Sequence, residues 1–379
     1  MLKGDVVKIL ERLFLFLCIF SMPLFRSLDA TFLVASSLLF LTRHLAEGNC
    51  RKVLFAKDSR LGFLALAGAA ALSAIFAQKP FLAFRGSQDF LKMYAIYVIV
   101  ASDFSDKLSI RVILLIVIAS TAIGSIWGLT EYVTGNNKYV KLRAVGFTNH
   151  SAIYLGISLL VVFYYFSNYL RDSNLIEKIL VSSSGIVITF ALLLSSTGTL
   201  LSSGRLLFIL FALFYVRKKR ALKVALLLSV ALLFLIVLFP VKANNKSLSD
   251  RLELWSWAWE VYKSHPVVGV GANHLQFQNP ELYHFPSTHQ WSSHAHNLFL
   301  NTLSQLGTVG FLSLLLLFFL ILKSLPYTQP GIKPLVITTL ISVLMISFVN
   351  TTLHSQHGRL FSLILAMAGN IKEPEKVEL

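Results

Sequence analysis

Ten histidines occur in the 379-residue chain, and six of them fall between His265 and His296. The last is followed at once by Asn297 and then by an apolar run. A neutral imidazole titrates near working pH and can take a proton from a weak nucleophile such as a hydroxyl. His296 is the best placed of the six, because the start of a helix disfavours its protonated form. His294 and Asn297 are read as its supports, and packing or headgroup contact accounts for most of the others. A metal centre is the competing reading of "STHQWSSHAHN". Against it, His294 and His296 are two residues apart rather than i, i+4, carboxylates nearby are few, and no cysteine is close. Neither a metal nor another cofactor is expected.

Three arginines also have a chemical reading. Arg143 stands in "KLRAVGFTNH", Arg205 in "LLSSGRLLFIL" and Arg251 in "SLSDRLELW". The basic stretch "VRKKRALK" begins at Val216 and marks a cytoplasmic anchor. Arg205 precedes Arg217 by about 18 Å of helix at 1.5 Å per residue, which puts it below the outer surface of a hydrocarbon core about 30 Å thick. A guanidinium there costs at least ~2.5 kcal/mol unless it meets water or an anion. Carboxylates are scarce on that side, so an anionic ligand would offset the cost. Paired N–H donors suit phosphate oxygens in particular. Snorkelling or a backbone contact is the plainer alternative for each of the three.

The elements that hold these residues follow from composition. Hydrophobic residues are 55% and charged residues 14% of the chain, and mean hydropathy is +0.70. Apolar runs near membrane-spanning length recur from end to end, and alternating strand-like segments are absent. The expectation is an all-α polytopic membrane protein, one transmembrane domain over 1–379 with about 12 spans. These are placed at 8–25, 28–42, 61–78, 87–102, 110–131, 151–169, 178–197, 200–216, 221–240, 297–322, 332–350 and 358–371. The second, fourth, eighth and last are short. No cleavable signal stands out, since Arg26 follows the first apolar stretch. Cys18 and Cys50 imply no disulfide framework.

A cytoplasmic N-terminus collects most Lys and Arg on the inner side. The net charge of +16 is then topogenic, and nucleic acid is not an expected partner. The same orientation leaves 241–296 as one long periplasmic loop. Within it, "DRLELWSWAWEVY" spaces Leu252, Trp255, Trp259 and Tyr262 at helical intervals, so a surface helix on the bilayer is expected. "HPVVGVG" breaks that helix.

His296-Asn297, nine residues, Gly307, two residues and Gly310 resemble the signature of the bacterial O-antigen ligase family, grouped with O-antigen polymerases in one membrane superfamily. "RLELWSWAWEVYKSHPVVGVGANHL" is similar to that family's Arg-containing helix and the His-Pro-hydrophobic-Gly segment after it. "RAVGFTNHSAIYL" and "SSTGTLLSSGRLLF" resemble its middle blocks. The resemblance covers roughly 140 to 311. Two departures stand out: Gln305 replaces a Glu of many relatives, and the external loop is compact.

The resemblance implies a GT-C-like membrane glycosyltransferase in the bacterial inner membrane, working on the periplasmic face among membrane lipids. Its donor would be polysaccharide on undecaprenyl pyrophosphate and its acceptor the lipid A-core oligosaccharide. Transfer would be metal-independent and inverting. Arg205 and Arg251, with Arg143 behind them, would meet the pyrophosphate, and His296 would be the base. Asn297 would orient the imidazole or a sugar. An O-antigen polymerase, another transferase of the superfamily and a transporter or flippase remain alternatives.

Overall fold

A computed structural model describes residues 2–56, 58–104, 106–195, 245–278 and 293–368. Among these the chain is helical and without strands. Every expected span inside the described residues coincides with a helix, while those at 200–216 and 221–240 lie outside them. The helices are α1 (Leu2–Ser21), α2 (Arg26–Ala46), the short α3 (Cys50–Leu54), α4 (Ser59–Ile75), α5 (Pro80–Asp103), α6 (Lys107–Val133), α7 (Thr148–Asn168) and α8 (Leu175–Ser195). After the interval come α9 (Asn245–Ser264), α10 (Leu298–Ser324), α11 (Lys333–Ser347) and α12 (Ser355–Ala366).

Five of the described helices are long and apolar enough to cross a membrane: α2, α6, α7, α8 and α10 with its short extension to Tyr327. Two more, α4 and α11, are apolar but shorter. Helices α2 and α5 run longer than the apolar stretches that announce them. Charges sit early in both, Arg26 and Asp29 in the first turn of α2 and Arg85, Asp89 and Lys92 in the N-terminal half of α5, and the expected spans 28–42 and 87–102 begin after the helices do.

Local chemistry sets the helix starts. The carboxylates of Asp58 and Asp106 accept from Arg60 N and Ser109 N at 2.8 and 2.9 Å, capping α4 and α6. Pro80 opens α5, where its missing N–H costs nothing. The Asn297 side chain accepts from Phe299 N and Leu300 N at 3.0 and 3.1 Å, capping α10.

Helix α12 is buried on every face from Gln356 to Ala366, the pattern of a helix enclosed by others. It packs against α5, α7 and α11. Its first turn is joined to α2 and α5 by charge. Arg359 pairs with Asp29, and its second guanidinium nitrogen lies 3.4 Å from Asp89. Asp89 also accepts from Ser355 N at 2.9 Å, placing a carboxylate where the helix dipole is positive. At the opposite end Arg43 binds Glu11 at 3.0 Å and pairs with Asp103. Charged links thus gather at the two ends of the bundle, and the region between is held by apolar packing and a few buried hydroxyl bonds such as Thr121 Oγ1 to Ser158 Oγ at 3.1 Å.

Candidate active site

The described part of the site is built on α9, α10 and the segment between them. Helix α9 buries Arg251, Leu254, Ala258 and Val261, one face at helical spacing. This face meets Val270, Leu275 and Ala295 in a small core of its own. The stripe expected from the sequence lies on the other side. Leu252 and Trp259 are exposed, and Trp255 and Tyr262 are partly covered. The helix therefore has one apolar face for the protein and a second turned away from it.

Helix α10 is broken near its start. Gly307 has φ +65° and ψ −166°, outside helical geometry, and such a φ favours glycine. The break frees backbone groups that burial would leave unsatisfied. "HPVVGVG" satisfies them. Thr308 N and Val309 N donate to the carbonyls of Pro266 and Val267 at 2.8 and 3.1 Å. In return Val270 N and Gly271 N donate to Ser304 O and Gln305 O at 3.1 and 2.9 Å. A Cβ at Gly307 or Gly269 would collide with the facing backbone. Gly310 packs where a Cβ would strike the Leu306 side chain. Gly269 and Gly307 serve a backbone-to-backbone clasp.

Gln305 completes it. Its amide nitrogen donates to Ser293 O and Asn301 Oδ1 at 2.8 and 2.9 Å, and its Oε1 accepts from Asn273 N at 2.7 Å. Its backbone carbonyl also accepts from Ser73 Oγ of α4 at 2.6 Å. The fold thus uses the amide N–H₂ of Gln305, where an ionised carboxylate would donate nothing.

His296 sits just before the α10 cap, half-buried, with φ +50°. Asn350 Oδ1 lies 3.4 Å from its Nδ1. With its ring proton at Nδ1, donated to that amide oxygen, the imidazole keeps a lone pair at Nε2. Burial holds the imidazole below its usual pKa, and the Arg251 guanidinium pushes it further, while the Asn350 contact pulls the other way. The group is neutral at working pH, as a general base must be. Arg251 is buried, and burial disfavours its charge. The structure therefore brings Arg251 and His296 into one electrostatic neighbourhood. The Asn297 side chain is committed to the cap and to Phe348 O at 3.1 Å. Arg143 is exposed and stacked over Trp127 at 4.4 Å, and it joins neither Arg251 nor His296. Arg205 lies outside the described residues.

Sequence reasoning missed the neighbours of His294. Its ring lies 4.7 Å from that of His354, which is 4.5 Å from His150 and 4.7 Å from His357. Four imidazoles, from α7, α12 and the segments that precede α10 and α12, meet beside His296. Burial lowers His294 to about 4 and holds His354 well below its ordinary value, with neighbouring imidazoles adding to each shift. Among the described residues no three metal-binding side chains are arranged to hold an ion. The paired His354 and His357 in "TLHSQHGR" are the one signal that might have drawn the eye.

Residues 179–315 match the family model described as O-antigen ligase. The matched stretch, about a third of the chain, spans Arg205, Arg251, His294, His296, Asn297, Gly307 and Gly310 but not Arg143. No curated protein matches the chain.

Proposed function

We propose, with the O-antigen ligase match over 179–315 as premise, that the chain transfers polysaccharide from undecaprenyl pyrophosphate to the lipid A-core oligosaccharide. The family supports ligase- or polymerase-type transfer, and the apolar helices support a membrane setting. The finer reading adds a GT-C-like arrangement of twelve spans in the bacterial inner membrane, working at its periplasmic face. One observation carries it: a neutral imidazole and a buried guanidinium, His296 and Arg251, share one corner that the clasp between α9 and α10 fixes.

In this reading the acceptor hydroxyl attacks the anomeric carbon of the donor as Nε2 of His296 takes its proton. The bond from that carbon to the diphosphate oxygen breaks, and its electron pair leaves with the lipid diphosphate. Attack opposite the leaving group inverts the anomeric centre. Arg251 and Arg205 offset the charge gathering on the departing group, the kind of preorganised stabilisation that contributes most in a water-poor site. General-base help is worth about 10²–10⁴-fold, so His296→Ala is expected to lose that much in kcat while the protein stays folded. Asn350 positions the ring by holding its proton at Nδ1.

The test is reconstitution of the full chain with a lipid-linked polysaccharide donor and purified lipid A-core as the sole acceptor. Coupling to the core supports a ligase. Lengthening of lipid-linked glycan with no coupling to the core makes the protein a polymerase. Wild-type rates in His296→Ala would remove that residue as base.

A further inference from the structure

A cavity of about 580 Å³ opens at the end of the bundle that carries the histidines. It lies between the first turns of α2, α5 and α12 and the segment after the clasp. This is within the size range of small-ligand sites, about 300–1,000 Å³, and its charge is lopsided. Arg26, Arg85, Lys92 and Arg359 line it, and Asp89 is the lining carboxylate. Asp89 is already engaged by Ser355 N and Arg359, and Arg359 is held by Asp29. Among the described residues, Arg26, Arg85 and Lys92 have no carboxylate within ion-pair distance.

Cations kept close together without counter-charges repel one another, and an anion filling the space between them removes that cost. Gly86 brings α5 so near the loop that a Cβ would meet Ala272 O and Asn273 Nδ2 at 2.9 Å each. Neither Arg251 nor His296 lines it, and the four cations all lie outside the stretch that matches the family. It neighbours the reaction corner through Ser355, which follows His354 of the imidazole cluster.

We propose that this cavity binds a phosphate group carried by the glycolipid acceptor, holding the acceptor beside His296 while the donor diphosphate occupies the Arg251 side. The identity of that acceptor rests on the proposed function. The phosphate need not be the acceptor's, since ordinary phospholipid carries the same chemistry, and the experiment separates the two sources.

The full chain carrying His296→Ala, which binds without turning over, is placed in nanodiscs of zwitterionic phosphatidylcholine. Binding is measured for purified lipid A-core and for the same glycolipid after phosphatase treatment. Charge-assisted hydrogen bonds of this kind predict at least about tenfold weaker binding on phosphate removal. Arg85→Gln and Arg26→Gln, both at exposed positions, are expected to weaken the intact acceptor equally and to leave the treated one unchanged. Arg85→Lys is expected to recover part of the loss, and in the residual activity of Arg85→Gln the acceptor KM is expected to rise while the donor KM stays at the wild-type value. Equal affinity for the two acceptor forms overturns the proposal. So does a difference that vanishes when phosphatidylglycerol forms most of the bilayer, for the cavity then belongs to bulk lipid. The two readings fail separately: coupling to the core without phosphate dependence keeps the function and removes the cavity's role, while phosphate-dependent binding without coupling does the reverse.

Discussion

The behaviour of His296 is set by three neighbours of different kinds. Burial and Arg251 hold it neutral, and Asn350 favours the protonated ring. Because its pKa is lowered from 6.5, the acid limb of kcat/KM is expected below pH 6.5. Arg251→Gln removes a repelling charge, so the limb in its residual activity should move up towards 6.5. Asn350→Leu removes a stabilising contact and should move it further down. A limb unmoved by both changes would assign it to another group. At this scale the sequence was partly legible. His296 and Asn297 stand out because they abut an apolar run, although Asn297 turns out to cap α10. The grouping of His150, His354 and His357 with His294 is hidden, because only packing across 144, 60 and 63 residues of chain brings them together. The partners of Asn350 are equally hidden.

Helices were the most legible feature, since an apolar stretch of sufficient length leaves few other choices in lipid. Their ends and faces were less so. Helix α9 is apolar on two sides, and periodicity favoured the side with larger rings. The protein buries the other, where Ala258 permits close approach. Gly307 and Gly310 were visible as spaced glycines, but their purposes required seeing that the Val267 backbone faces the first and the Leu306 side chain the second. Gly307→Ala forces a side chain into a positive-φ position and against Val267. Strain of this kind costs of order 1–3 kcal/mol, and the collision adds to it. The expected outcome is a lower melting temperature together with a fall in kcat, because the clasp aligns His296. Unchanged values of both would mean that α10 tolerates a straight course.

Across the whole molecule, charge organises the two ends. Asp29 and Arg359 are 330 positions apart in sequence, and nothing in either neighbourhood announces the pairing. Removing one partner of a buried pair strands the other, at a cost of about 3–5 kcal/mol. Arg359→Gln is therefore expected to destabilise strongly, and Asp29→Asn added to it should recover part of the loss in thermal denaturation. Additive losses would show that the two do not act together. The imidazole cluster has its own signature. His294 titrates near 4 in the fold against an ordinary 6.5, and His354 lies well below that value too. The unfolded chain takes up protons first on acidification, so stability should be full above pH 6.5 and fall as pH drops towards 4. Replacing His294 with Asn should flatten the slope of melting temperature against pH over that window.

The clasp between Pro266–Gly271 and Ser304–Val309 works like a drawstring at the neck of a bag. The chain leaves the neck after Gly271 and returns to it before Ser304, so the spacing of α9 from α10 is fixed independently of the length in between. Loop closure costs rise only slowly with length. Residues inserted between Gln278 and Ser293 would leave that neck, and with it the spacing of α9 from α10, where it is.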